Sequence, residues 1–429
     1  AVEVDSVTFK EGGTNFTNSL LVGTDTTGTL SSADGNTGVG VGVFGALTSG
    51  DDNVAVGLNA LDVNTTGSKN VAIGKNALVN NTTGSCNTAV GEGALQTVTT
   101  SGCNTGIGRD ALANNTGNSN TGVGYASMNS TTSASDNTSI GFCSLNANTT
   151  GGANVALGTC ALKSTTTAVH NVAVGKDALE ANTTGACNTA VGKDALTANT
   201  TASRGTAVGR CALASNTTGD ANTAVGDLAM EDCTTGDLNT AIGTESLKNL
   251  TTGCYNVALG RSSAEKVTTA DYNTALGYLS LSASTTGAQN TMVGALSGDA
   301  ITTGQYNVGM GVHAVGSTTD AEGNTGLGYN SLFANTTGDH NTAVGRNSLD
   351  ANTTGIQNVA VGYNSLTANT TGSDNTAIGR GALTKNTTGT PNTAVGSLAL
   401  ACNTTGGTNT AVGRLALQNN TTANYNTAI

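Results

Sequence analysis

The chain has 429 residues, of which only 10 % are charged and 3 % aromatic, and its formal net charge is −12. This balance argues against a nucleic-acid partner, because phosphate binding needs clustered Lys and Arg. No apolar run approaches the roughly 18–20 residues that span a bilayer, so we expect no membrane insertion.

A repeated phrase follows an N-terminal lead-in segment at residues 1–18. Asn-Thr-Ala-Val-Gly, two variable residues, Ala/Ser-Leu, two more residues and Asn-Thr-Thr-Gly recur with a period of 17 residues. Residues 36–425 hold 23 copies, 22 of them 17 residues long and one of 16, while 19–35 form a degenerate first coil and 426–429 a partial repeat. Self-similarity at this period predicts an all-β chain, a parallel β-solenoid over 19–429 with one repeat per coil and about 24 coils.

Two apolar positions recur when each copy is numbered from its opening Asn. Position 4 is Val, Ile, Leu or Met, as in Val56, and position 9 is Leu in most copies, as in Leu61. We expect both positions to be buried side by side, because units this short are stable only when stacked copies share one core. Ala264 and Gly298 are the weak copies at position 9.

Position 5 is Gly in all 23 complete copies, which predicts a positive φ or the close approach of a second chain. In the copy that opens at Asn341, residues 342–344 and the stretch around Ser348 and Leu349 are predicted as two short strands. The Asn-Thr-Thr-Gly at 352–355 is predicted as the turn, with stacked Asn and Thr forming ladders. The 16-residue copy lacks one Thr of this turn, and turns tolerate length changes.

No catalytic or metal-binding motif stands out. His170, His313 and His340 have no nucleophile or carboxylate at a recurring spacing, and the nine Cys lack Cys-x-x-Cys or His pairing. We therefore expect no enzymatic activity, no cofactor and no metal site.

Disulfide bonds, N-glycosylation and bound calcium stay open as alternatives. Cys86 and Cys103, like Cys143 and Cys160, share one position in successive repeats, so stacked pairs could form disulfides or remain free thiols. The Asn-Thr-Thr triplets match the N-glycosylation acceptor, although turn chemistry also explains them. Isolated calcium ions are a further alternative.

One column of side chains, at position 6, is a candidate binding surface. It carries Lys, Arg or Tyr in 13 of 23 copies, including nine of the sixteen basic residues. The functional interpretation is a stripe for anionic or sugar-rich surface polymers, with Arg pairing and Tyr stacking. The structural interpretation is salt bridging and packing, within a chain or between chains, to carboxylates such as Asp110, Asp177 and Asp194. The stripe consists of Lys75, Arg109, Tyr125, Lys176, Lys193, Arg210, Arg261, Tyr278, Tyr329, Arg346, Tyr363, Arg380 and Arg414.

The phrase resembles the repeats of two protein groups. Asn-Thr-Ala-Val-Gly followed by Ala-Leu is similar to the repeat in the heads of trimeric autotransporter adhesins. The 17-residue form with Asn-Thr-Thr-Gly looks more like the repeat regions of bacteriophage tail-fibre proteins, and residues 15–23 resemble the lead-in to such arrays. The resemblance implies a left-handed β-roll and a homotrimer. Ala at position 3 and Gly at position 5 would give the flat face along which three chains approach.

The function implied by this resemblance is structural. The chain is expected to be the shaft of a phage tail fibre, part of the virion, that provides reach and multivalent attachment to host cell-surface glycans or proteins. The alternative is a bacterial surface adhesin or an extracellular filament subunit.

Overall fold

The computed structural model describes residues 2–4, 7–23 and 27–429. One short strand recurs in every repeat, and successive strands pair in parallel at the 17-residue spacing. The predicted all-β parallel β-solenoid of about 24 turns is therefore confirmed. Residues 1, 5 and 6 of the lead-in and 24–26 of the degenerate first coil lie outside the described residues.

The strands are β1 (Val2–Val4), β2 (Val7–Gly13), β3 (Phe16–Val22), β4 (Ala33–Asp34), β5 (Thr37–Val39), β6 (Val54–Val56), β7 (Val71–Ile73), β8 (Thr88–Val90), β9 (Thr105–Ile107), β10 (Thr121–Val123), β11 (Thr138–Ile140), β12 (Val155–Leu157), β13 (Val172–Val174), β14 (Thr189–Val191), β15 (Thr206–Val208), β16 (Thr223–Val225), β17 (Thr240–Ile242), β18 (Val257–Leu259), β19 (Thr274–Leu276), β20 (Thr291–Val293), β21 (Val308–Met310), β22 (Thr325–Leu327), β23 (Thr342–Val344), β24 (Val359–Val361), β25 (Thr376–Ile378), β26 (Asn392–Val395), β27 (Asn409–Val412) and β28 (Thr427–Ala428).

The chain divides into two units, Ala1–Thr218 with β1–β15 and Gly219–Ile429 with β16–β28. In the first unit, β1, β2 and β3 form an antiparallel meander, and β3 then pairs in parallel with β5. Leu20, Leu21 and Val22 lie opposite residues 37–39 in that pairing, one period earlier in the chain. The meander thus covers the N-terminal edge of the parallel ladder, an edge that would otherwise expose unpaired backbone groups.

The interior of each coil is built from position 3 rather than position 4. Ala343 at position 3 and Leu349 at position 9 are both 0 % exposed, whereas Val344 at position 4 is only half-buried. The prediction for position 9 is confirmed and that for position 4 is wrong. Side chains alternate across a strand, so the inward-facing Asn and Ala of positions 1 and 3 turn positions 2 and 4 outward. Because Ala at position 3 faces inward, it forms no flat outer face either.

One exceptional coil shows how narrow this interior is. Met292 takes the place of Ala at position 3 in the same repeat in which Gly298 replaces Leu at position 9. A Cβ at Gly298 would lie 2.6 Å from the Met292 sulfur, so the methionine fills the volume that leucine occupies elsewhere. Positions 3 and 9 therefore share one small space, in which a large residue at one position is matched by a small residue at the other.

The second predicted strand is absent from the described part of the repeat at 341–357, where residues 346–351 form turns. Asn347 and Leu349 have φ values of 53° and 52°, in the left-handed region, so the backbone cannot extend there. Hydrogen bonds between coils hold this side instead: Leu349 N–H donates to the Ser365 carbonyl at 3.0 Å.

Position 5 requires glycine for its positive φ, as predicted, and for the close approach of another stretch of backbone. Gly345 has φ +126°, and a Cβ there would lie 2.8 Å from the carbonyl carbon of Gly362. The approaching backbone is the next coil of the same chain, not a second chain. Gly345 N–H also donates to the Leu327 carbonyl at 2.8 Å, so the close stacking is a part of the hydrogen-bond ladder.

Two buried Asn ladders run through the coils beside the Ala and Leu side chains. Asn341 Nδ2 donates to the Gly355 carbonyl at 2.8 Å, and its Oδ1 accepts N–H groups of Asn358. Asn352 Nδ2 donates to the same Gly355 carbonyl and to Asn335 Oδ1. The predicted ladders are present. Because Asn352 is 0 % exposed and its amide is engaged, the folded coil does not offer it for glycosylation.

The 16-residue copy absorbs its deletion in the predicted turn. Asn115 Nδ2 still donates to the Gly117 carbonyl, at 2.9 Å, across a bend that is one residue shorter. The strands keep their phase, because Thr121 pairs with Thr105 and Gly122 with Gly106.

Paired substitutions in β23 test which face of the strand is interior. Ala343→Asp should lower the free energy of unfolding by several kcal/mol, because a carboxylate without a partner would enter the coil. Val344→Asp should lower it by about 1 kcal/mol or less in dilute solution, since the side chain faces outward. Chemical denaturation of both variants measures the difference, and equal losses would contradict the inward assignment of position 3.

Candidate functional site

The predicted stripe lies on the surface, where the chain leaves each strand and passes Gly at position 5. All thirteen of its residues are exposed. The structure separates them by their partners, since some bases contact carboxylates and others do not.

Bases in the first unit are largely paired with neighbouring carboxylates. The pairs are Lys75 with Glu92 at 3.4 Å, Arg109 with Asp110 at 3.3 Å, Lys176 with Asp177 at 2.6 Å and Lys193 with Asp194 at 2.5 Å. These are the contacts that the structural interpretation of the stripe requires. Exposed pairs of this kind contribute little to stability, roughly 0–1 kcal/mol each.

Arg109 also begins a short aromatic stack. Its Nη2 donates to the Tyr125 hydroxyl at 2.8 Å, and its guanidinium carbon lies 4.8 Å from that ring's centroid. The hydrogen bond with Tyr125 raises the pKa of Arg109. Tyr125 stacks in turn on Phe142 with centroids 5.3 Å apart, so both faces of the Tyr125 ring have neighbours.

The second unit presents a different arrangement. The Arg346 guanidinium lies between two exposed tyrosines, 5.8 Å from the Tyr329 centroid and 5.9 Å from the Tyr363 centroid. Among the described residues, no carboxylate forms an ion pair with Arg346, Arg380 or Arg414. These cations remain available to an external anion. We call Tyr329, Arg346, Tyr363 and Arg380 the open segment.

A notch of about 120 Å³ lies beside the open segment. Gly381 forms its floor at position 7, where neighbouring repeats carry the side chains of Asn364 and Leu398. A Cβ at Gly381 would come within 2.8 Å of Leu398 Cδ2. The notch lies where this repeat lacks a side chain at position 7. Its lining consists of Tyr363, Asn364, Arg380, Gly381, Thr384 and Leu398.

Two further columns of side chains on the surface were not predicted from the sequence. The position-4 aliphatics point outward, with Ile73 41 %, Leu157 44 % and Leu259 47 % exposed. At position 17, Tyr255 and Tyr272 stack with centroids 5.0 Å apart and rings parallel. The strict alternation of side chains along a strand could have revealed the first column, had the inward phase been assigned to alanine.

All nine cysteines are free thiols, so the stacked pairs are not bridged in this structure. Burial raises the pKa of the Cys233 thiol to about 12, and burial also raises the pKa of Cys160. Thiols of raised pKa are poor nucleophiles, because the thiolate is the reactive form.

Comparisons with protein families and with curated proteins found no match. Within residues 2–4, 7–23 and 27–429, no helix is long and apolar enough to cross a bilayer.

The Asp350 carboxyl at position 10 of β23's coil gives a pH-dependent prediction. Burial raises its pKa above the ordinary value of 3.8, and its Oδ1 has no hydrogen-bond partner. A raised folded-state pKa means that the ionised group destabilises the fold at neutral pH, and that this penalty fades as pH falls through the raised pKa. Asp350→Asn should therefore raise the melting temperature at pH 7, with the gain shrinking towards pH 4 and below.

The exposed Asp374 supplies the control for this experiment. Asp374→Asn removes the same charge without relieving burial, so its melting temperature should follow the parent chain across the titration. A gain from Asp350→Asn that is equal at all pH values would contradict the burial argument.

Proposed function

We propose that the chain is the repeat shaft of a self-associating extracellular fibre that attaches weakly, and at many points, to a cell surface. The observation that carries this proposal is the exposed aliphatic column at position 4. It recurs at the same phase in the coils of both units, whereas scattered exposed apolar residues would be ordinary.

Further copies of the same chain are the occupant we propose for the aliphatic column. The column has the period of the chain itself, so an identical chain placed alongside in register meets it with an identical column. Three chains around a closed axis would cover all three columns and leave none open for further growth. The resemblance to trimeric repeat proteins supports the same number.

Attachment is the second part of the proposal, and it rests on the open segment. Unpaired guanidinium groups alternating with tyrosine rings suit an anionic polysaccharide, because Arg binds carboxylate or sulfate oxygens and tyrosine packs on sugar rings. Each contact is weak, roughly 0.5–1 kcal/mol for an exposed cation–π pair, so affinity depends on many copies. A fibre of three chains would present three such segments together.

A phage tail fibre is the specific assignment that we propose, with the virion as its location. The 17-residue form of the repeat supports it over the alternative, a bacterial adhesin or extracellular filament subunit. Both assignments share the mechanism of a self-associated shaft with surface contacts.

Charged residues introduced at position 4 should prevent the chains from associating. The parent chain should scatter light with about three times its mass of 41.9 kDa. The triple variant Val344→Asp, Val361→Asp and Ile378→Asp should scatter as a single chain, because three like charges would face each other across the interface.

Three exposed threonines in the same coils provide the matched control. Thr354→Asp, Thr371→Asp and Thr388→Asp add the same charges at position 14, and this variant should keep the parent's mass. A parent chain that is monomeric in dilute and concentrated solution would contradict the assembly.

Removal of the open segment should abolish retention by an acidic polysaccharide. Arg346→Ser, Tyr363→Ser and Arg380→Ser together should reduce binding to immobilised alginate on the order of tenfold or more, with an unchanged melting temperature. Binding of the parent should fall as salt rises, since the contacts are exposed and ionic.

The paired bases of the first unit serve as the control for charge. Lys176→Ser and Lys193→Ser also remove two positive charges, but both lysines already contact carboxylates, so retention should persist. Equal losses in the two variants would show a general charge effect and contradict the assignment to the open segment. A drop in melting temperature confined to the triple variant would make the open segment structural.

A further inference from the structure

A cluster of potential metal ligands lies in the first unit, away from the open segment. Cys160, Asp177 and Glu180 each bring one ligand atom into a group whose members all lie within 4.8 Å of one another. Each residue is half-buried. Cys160 occupies position 7 of its repeat, and Asp177 and Glu180 occupy positions 7 and 10 of the next.

A second thiol adjoins this cluster. Cys143 holds position 7 in the repeat that precedes Cys160. Backbone hydrogen bonds of 3.0 Å fix the three coils in register, from Cys160 N–H to the Phe142 carbonyl and from Asp177 N–H to the Thr159 carbonyl. Cys143, Cys160 and Asp177 are therefore neighbours in one column.

Two lysine side chains already contact the carboxylates of this cluster. Lys163 Nζ is 3.2 Å from Glu180 Oε1. Lys176 Nζ contacts Asp177 Oδ2 at 2.6 Å. Both lysine side chains are about half exposed, so these ion pairs are weak and the ammonium groups can move away into solvent.

We propose that Cys160, Asp177 and Glu180 form a site for a thiophilic divalent cation of the zinc class. One sulfur and two carboxylate ligands, with water in the fourth position, match a tetrahedral Zn²⁺ site that has three protein ligands. Calcium and magnesium are disfavoured, because they take oxygen ligands in larger numbers. On binding, the Cys160 thiol releases a proton and Lys163 leaves Glu180, so the cation replaces the ammonium group.

The bound cation would join two successive coils through side chains. Such a cross-link is independent of both the aliphatic column and the open segment, so it neither requires nor supports the proposed attachment. Its expected effect is a higher melting temperature of the folded chain, since the cation binds the folded state only.

Cadmium titration of the reduced 429-residue chain tests the site, because cadmium–thiolate bonds absorb in the ultraviolet. Cys160→Ser should weaken the tightest cadmium-binding step at least tenfold, and Glu180→Gln should weaken it several-fold. Lys163→Gln should tighten it several-fold, because the competing ammonium group is gone. Circular dichroism checks that each variant folds.

The exposed Cys187 gives the matched control, since it lies outside the cluster. Cys187→Ser should leave the tightest step unchanged. A tight step that survives Cys160→Ser, or an affinity unaffected by Lys163→Gln, would overturn the proposal. The same holds if the parent chain shows no cadmium–thiolate absorption at all, or if cadmium fails to raise its melting temperature.

Discussion

Hydrogen bonding from each coil to the next is the interaction on which the structure depends. The apolar interior of a coil is small, with little beyond Ala at position 3, Ala or Ser at position 8 and Leu at position 9 in most repeats. Backbone groups on every side of the coil pair with the next coil, and inward asparagines add a second set of bonds. In the repeat at Asn341, the Gly355 carbonyl accepts from two asparagine amides. Burying amides costs free energy unless they are bonded, so the ladders are stable only where a coil has neighbours.

This dependence explains the residues that vary least. Glycine at position 5 lets two backbones approach at a φ that other residues avoid, and alanine at position 3 leaves room for leucine at position 9. The repeat of Met292 and Gly298 has the large residue at position 3 and the small one at position 9, the reverse of the usual arrangement. The outward columns are under no such constraint, which is why position 6 ranges from Lys and Arg to Tyr, Val and Ser.

Because the repeat period is constant, side chains at the same outward position of successive repeats form a column on the surface. Identical side chains repeat near 5 Å, as the stacked Tyr255 and Tyr272 rings show. Columns create arrangements that no single repeat contains, such as a guanidinium between two tyrosines or a thiol beside two carboxylates. Many weak contacts along one column can then add up to a useful affinity. A residue without a side chain, such as Gly381, leaves a notch in the column.

The sequence by itself determined the period, the parallel stacking, the role of Gly345 and its equivalents, the burial of position 9 and the bend that absorbs the deletion at 115–117. Each of these follows from backbone conformation or from repetition, which one chain displays fully. Tertiary structure alone decided the phase of the strand, because the larger side chain of Val344 faces outward and the space opposite Leu349 holds the small side chain of Ala343. It also decided that the second side of the coil turns rather than extends, since nothing in the sequence distinguishes a leucine that adopts a positive φ. The stripe's partners were partly visible in the sequence, since Asp110, Asp177 and Asp194 adjoin the bases that they contact. Only the structure placed the Arg346 guanidinium between Tyr329 and Tyr363, because that arrangement depends on which side chains the neighbouring coils present.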